Sequence, residues 1–352
     1  MNFDFWKNRN VFLTGHTGFK GGWMAIWLLK MGAKVYGYSL SPPTIPSFFT
    51  TTKLEKYLTK SVIANILDLK KLLQEMEEAK PSIVIHMAAQ SLVRESYNRP
   101  LETFMTNVIG TANVLEITRK IKTVKAIINV TSDKCYENQE RILPYNENDI
   151  LGGNDPYSSS KACAELVTTS YRKSFFKDSN IRIASVRSGN VIGGGDWAID
   201  RLVPDFFRAL NSGSTLRIRY PNAIRPWQHV LEPLSGYLKL AEKLLIKGDK
   251  YVGAWNFGSK KTESKPVSWV VEYLCSKVPD VSWKIEKKNL LNESELLNLN
   301  SSKSTTILGW RNYWKLKTAL NKTIEWYQAW NNKEDMMKFT KNQISAYELS
   351  MK

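Results

Sequence analysis

Asn10-Val-Phe-Leu-Thr14-Gly15-His-Thr-Gly18-Phe-Lys-Gly21-Gly22-Trp-Met-Ala-Ile-Trp-Leu-Leu-Lys30 is an apolar run, a glycine-rich turn and a helix-forming segment in unbroken succession. A buried strand that feeds a helix through a glycine turn is the opening unit of a doubly wound α/β fold with a parallel sheet. Glycines let the backbone turn tightly and approach a pyrophosphate, whose charge then meets the helix N-terminus. The spacing here is G-x-x-G-x-x-G rather than G-x-G-x-x-G, and Gly15, Thr17, Gly18, Phe19 and Gly21 are placed to line a dinucleotide.

Working outward, residues 33–39 read as the second strand, where an acidic residue often holds the adenosine ribose. Ser39 stands at its end, with neither an acid nor an arginine beside it, so this strand does not choose NAD over NADP. Residues 61–66 form a third candidate strand, followed by Asp68 at a place suited to the adenine end. Residues 81–90 form a fourth, ending in Ala88, Ala89 and Gln90, small enough at the alanines for a cofactor to pass close by. A helical stretch over 100–121 carries Asn107, and the fifth strand, 125–131, delivers Ser132-Asp133-Lys134 at its carboxyl end. Ligands bind at that end of open α/β sheets.

Tyr157 and Lys161 stand four residues apart at the start of a helix-forming run, and so share a helix face. A tyrosine titrates near ~10 when unperturbed. A fixed cation beside the phenol favours the phenolate, so Lys161 is expected to lower the Tyr157 pKa and make it a general base.

Length and composition set the outer limits. A chain of 352 residues with 43% apolar and 24% charged content is an ordinary globular composition with room for a second lobe. No apolar run is long enough to span a bilayer, and the first ten residues lack the apolar core of a signal peptide. Cys135, Cys163 and Cys275 show no metal or disulfide spacing, and only three histidines are present, so no metal is expected and a reducing cytoplasm fits. The net charge of +17 invites a nucleic-acid reading, but the lysines are scattered, with short clusters such as Lys260-Lys261 and Lys287-Lys288. A basic surface serves equally to attract doubly charged sugar nucleotides.

Gly15-x-x-Gly18-x-x-Gly21, His86-Met-Ala-Ala89, Asn107, Ser132 and Tyr157-x-x-x-Lys161 together resemble the extended short-chain dehydrogenase/reductase superfamily, from about Asn10 to past Phe257. Within it, Ser132-Asp133-Lys134, with Gly193-Gly-Gly-Asp-Trp197, resembles the sugar-nucleotide 4,6-dehydratases, whose triplet is otherwise Thr-Asp-Glu. The resemblance implies NAD as cofactor and a nucleoside-diphosphate hexose, CDP-glucose first, as substrate. Tyr157 would take the proton of the sugar 4-hydroxyl, Lys161 would hold the nicotinamide ribose, and Ser132 would bond the 4-oxygen. Asp133 would protonate the departing 6-hydroxyl. Lys134 replaces the glutamate that serves as C5 base, and either takes that role or pairs with Asp133. The product would feed dideoxyhexose synthesis for surface polysaccharides.

After residues 181–187, the sixth strand, the regular alternation ends. The expected division is a Rossmann-type dinucleotide domain over 1–188, a smaller discontinuous substrate lobe over 189–330 with segments returning to the first, and a polar tail over 331–352. Asn190, Arg201, Arg225 and His229, the last as a packing or nucleotide-contact residue, are the substrate-side candidates, with Arg94 from the first half. Trp326, Tyr327 and Trp330 have the spacing of a helix packed on the core. A homodimer or homotetramer is expected through the helices that start near Pro100 and Pro156. A 4-epimerase, a dehydratase of another nucleotide, and a dinucleotide-sensing regulator bound to nucleic acid are the alternatives.

Overall fold

Apolar side chains alternate along the first strand: Val11 and Leu13 enter one core, Phe12 the other. That period of two, repeated at Ile83, Val84 and Ile85, marks a sheet buried on both faces. The computed structural model describes residues 2–286 and 297–352. The Lys287–Lys288 pair lies outside them.

Strands β1 (Asn10–Thr14), β2 (Lys34–Ser39), β3 (Lys60–Ile63), β4 (Ile83–His86), β5 (Ala126–Val130) and β6 (Arg182–Arg187) are parallel neighbours in a seven-stranded sheet. The order is β11-β6-β5-β4-β1-β2-β3, where β11 is Gly253–Asn256. The chain therefore runs outward from β1 in one direction and returns on the other side, and the crevice opens where β1 and β4 part. Helices α1 (Phe19–Lys30), α2 (Leu69–Ala79), α3 (Gly110–Lys120) and α4 (Pro156–Ser174) cover the two faces.

The second lobe is built from short pairs. These are β7 (Val191–Ile192) with β10 (Gln228–His229), β8 (Leu216–Ile218) with β13 (Trp283–Ile285), and β9 (Ile224–Pro226) with β12 (Ser264–Pro266). Helix α5 (Leu202–Ser212) belongs with them, while α6 (Leu231–Lys247) returns to pack under β5 and β6. Among later elements, α7 (Val267–Lys277) precedes α8 (Leu316–Asn331), whose Trp326 and Tyr327 are buried.

Residues 331–352, read as a polar tail, are instead largely helix α9 (Met336–Ser350) packed on α1 and α8. Ile344 and Tyr347 are buried, the Tyr347 hydroxyl donates to Glu232 at 2.8 Å, and Glu348 accepts from the Trp27 indole at 2.9 Å. The polar residues that dominate the composition lie on the outer face of this helix, so mean polarity hid a narrow apolar stripe.

Candidate active site

The glycine turn is dictated by space. Gly15 has φ +79°, and a Cβ there would lie 2.7 Å from the Ala88 nitrogen; on Gly21 it would lie 2.0 Å from the Gly15 carbonyl oxygen. Thr14 ties the turn to the fourth strand: its hydroxyl oxygen accepts from the Met87 and Ala88 amides at 3.0 and 3.1 Å. Helix α1 begins at Gly18 with no side-chain cap, so its first-turn N–H groups face the crevice. A dozen residues of helix behind such a terminus suit an anionic pyrophosphate. These residues fit a dinucleotide.

A cavity of about 860 Å³ runs from Ser39 and Ala64–Ile66 at one end to Tyr157 and Arg225 at the other. Gly15, Thr17, Gly18, Phe19, Gly21, Ser39, Ala88, Ala89 and Gln90 line it, as do Ser132, Asp133, Lys134, Tyr157 and Lys161. Arg94, Asn190, Arg201 and Arg225 line it as well.

Three expected contacts fall elsewhere. Asp68 does not line the cavity: it caps α2, accepting from the Lys71 amide at 3.0 Å, and Asn65 and Ile66 stand at the adenine end instead. Asn107 is buried behind the wall, bonded to both backbone groups of Gln90 at 2.9 Å and to the Ser160 hydroxyl at 2.8 Å. It positions the β4 loop against α4 and touches no ligand space. His229 is buried between the rings of Trp23 and Trp314, and burial pulls its pKa down to about 3. It is a neutral packing group.

At the reacting end, the Ser132 hydroxyl donates to Asp133 at 3.0 Å and accepts from the Lys134 amide at 3.2 Å. The Lys161 ammonium donates to the Val130 carbonyl at 3.4 Å, which fixes α4 against the end of β5. Glu165, one turn further along, accepts from Thr131, Ser185 and the Nε and Nη2 groups along one edge of the Arg187 guanidinium, all buried. Burial opposes its charge, yet Arg187 and these donors hold its pKa below the ordinary carboxylate value. This knot locks the ends of β5 and β6 to the helix that presents Tyr157.

The electrostatics correct one expectation. Burial raises the Tyr157 pKa to about 12, with a Ser132 hydrogen bond and the Arg201 charge working the other way. Lys161 is itself brought down to about 8 by burial, and its ammonium points to a carbonyl rather than to the phenol. Burial also raises Asp133, against the charges of Lys134 and Arg225, so its carboxyl holds a proton more firmly than an exposed aspartate.

Several residues here went unread in the sequence. Lys20 is the clearest: its ammonium donates to the Ser188 hydroxyl at 2.8 Å and the Tyr237 hydroxyl at 3.0 Å, and burial with Lys161 nearby lowers its pKa to about 7. A lysine inside the glycine motif was the available signal. Asp196 accepts from Arg201 at 2.8 Å, and Arg219 also lines the cavity.

A parallel sheet with a glycine turn at its switch point, a tyrosine and lysine on one helix beside Ser132, and a second lobe over the crevice define an extended short-chain dehydrogenase/reductase. The chain belongs to the GDP-mannose 4,6 dehydratase family, whose model matches residues 12–323. It is 47% identical to the CDP-glucose 4,6-dehydratase of Salmonella typhimurium over 98% of this chain and 97% of that one. Among solved structures, the UDP-glucose 4-epimerase of Thermotoga maritima with UDP-glucose aligns at a TM-score of 0.78 and 21% identity, covering 92% of this chain and 99% of that one. An NAD-dependent NDP-hexosamine 5,6-dehydratase of tunicamycin biosynthesis aligns at 0.77 and 23% identity, covering 92% and 98%. These two likenesses speak for the fold.

Proposed function

We propose that this chain is a hydro-lyase that converts CDP-glucose to CDP-4-keto-6-deoxyglucose, with NAD as its resident cofactor. The observation that carries the reading is Ser132-Asp133-Lys134 at the end of β5, lining the same cavity as Tyr157 and Lys161. An epimerase needs no acid at that point. The near full-length likeness to the Salmonella enzyme supports the CDP-sugar.

Bound along the glycine turn, NAD supplies a hydride acceptor for sugar C4 and a hydride donor for C6. Gly15, Gly18, Gly21 and the open start of α1 would hold its pyrophosphate, and Lys161 its nicotinamide ribose. Tyr157 takes the proton of the 4-hydroxyl, and Ser132 bonds the same oxygen. The Arg201 charge favours the phenolate against the burial that opposes it. Once C4 is a ketone, the C5 proton is acidic and the 6-hydroxyl can leave. Asp133, holding its proton more firmly than usual, donates it to that departing oxygen and water is lost. Lys134 lines the cavity beside Asp133 and acts as the C5 base only in its neutral form. Asn190 and Arg225 reach the diphosphate from the second lobe.

The homodimer expected through the helices near Pro100 and Pro156 is supported by Leu101, Met105, Ile109 and Leu166, large apolar groups exposed on these helices. Incubation with CDP-, dTDP-, UDP- and GDP-glucose, followed by mass spectrometry, tests the function. Loss of one water from CDP-glucose is expected. Loss from another nucleotide overturns the substrate, and inversion at C4 with no mass change overturns the dehydratase.

A further inference from the structure

Asp200 sits at the mouth of the cavity with its backbone in the left-handed region, at φ +62°. One of its carboxylate oxygens accepts from two arginines that approach from opposite sides of the crevice. Arg94 lies on the sheet side, on the short helix Val93–Asn98 whose Ser96 hydroxyl oxygen accepts from the Tyr157 amide at 3.1 Å. Arg219 lies just past β8 in the second lobe. The distances to the shared oxygen are 2.9 Å from Arg94 and 2.6 Å from Arg219. All three residues line the cavity and are partly exposed, the arginines by 39% and 21% and the aspartate by 34%. The guanidinium donors that hold this carboxylate are the same that suit phosphate oxygens.

We propose that Arg94 and Arg219 form an anion clamp for the substrate's diphosphate, and that Asp200 is a built-in competitor that closes the clamp across the crevice mouth. A diphosphate takes both arginines only by displacing this carboxylate. The neighbouring carboxylate, Asp196, holds Arg201 in the same way from the same loop, at 2.8 Å. Asp196 and Arg201 pair within the strap 195–201 itself, so Asp200 is the strap carboxylate that reaches across to Arg94 and Arg219. The inference rests on the sugar-nucleotide reading above; it adds Arg94 and Arg219 to Asn190 and Arg225 as diphosphate contacts and gives Asp200 the separate role of competitor.

Calorimetric titration of inorganic pyrophosphate and of cytidine diphosphate into the parent protein and into Asp200→Asn tests it. Asparagine tolerates the left-handed backbone, and Asp200→Gly, free at positive φ, serves as a second variant. Two half-exposed ion pairs can hold back binding by roughly three- to tenfold, so both variants should bind the probes that much more tightly. Arg219→Gln should weaken binding, and the gain from Asp200→Asn should shrink when the two changes are combined, because only Arg94 is then left to be freed. A gain with both probes, or with the nucleotide alone, supports the clamp. Unchanged or weaker binding in both Asp200 variants, or a gain undiminished in the double variant, overturns it. Neither probe undergoes a reaction, so failure of the dehydratase assay leaves this result standing, and the reverse holds too.

Discussion

Replacing Lys20 with methionine tests the charge buried in the cavity wall. Its amine is held by Ser188 and Tyr237, and burial lowers its pKa from 10.5 to about 7. Below pH 7 both folded and unfolded chains carry the proton, and the folded state bears the whole cost of the buried cation. Between pH 7 and about 10 only the unfolded chain keeps the proton, so stability rises with pH through that window. The shift from 10.5 to about 7 is worth roughly 4–5 kcal/mol at pH 6, at ~1.36 kcal/mol per unit, and about 2 kcal/mol remains at pH 9. Methionine removes the charge and gives up two hydrogen bonds, each worth about 1 kcal/mol net. The variant should therefore exceed the parent by about 2–3 kcal/mol at pH 6 and match it near pH 9. Urea unfolding followed by tryptophan fluorescence at both pH values reads the difference. A gap that stays constant, or grows with pH, refutes the reasoning.

Tyr157→Phe keeps the ring and should lower turnover by about 10²- to 10⁴-fold with an unchanged melting temperature; activity within tenfold of the parent would remove Tyr157 from proton transfer. Asp133→Asn should abolish water loss, whereas full activity would favour the epimerase alternative. In the parent, turnover should fall as pH rises through the elevated Asp133 pKa, because only the protonated acid can donate. Glu165→Gln strips one charge from the buried pair with Arg187 and should cost about 3–5 kcal/mol in urea unfolding; a cost under about 1 kcal/mol would show that the knot does not hold the strand ends.

Much of this architecture could be read from the chain because it rests on local rules. The six first strands, the glycine turn and the helix bearing Tyr157 and Lys161 follow from apolar alternation, glycine sterics and helical spacing, and each sits within a few residues of its expected place. What escaped was set by tertiary contact. Asp68 has the residue type and position of a ribose or adenine contact, but the helix that starts at Leu69 claims its carboxylate as N-cap. Asn107 carries a family signature yet acts through Gln90 and Ser160, partners 17 and 53 residues away. The Lys161 charge was expected on the phenol because spacing gives the shared face, while the direction of a flexible lysine is set by the Val130 carbonyl. Arg219 and Asp200 lie in stretches without periodicity, and only the fold brings them to Arg94.

The most direct test of the central claim is the fate of the hydrogen on sugar C4. CDP-glucose carrying deuterium at C4 is incubated with the protein and NAD, and the product is analysed by NMR. The account predicts deuterium at C6 of a 4-keto-6-deoxy product, carried there within one molecule. Deuterium retained at C4, or a product that keeps its 6-hydroxyl, would contradict it.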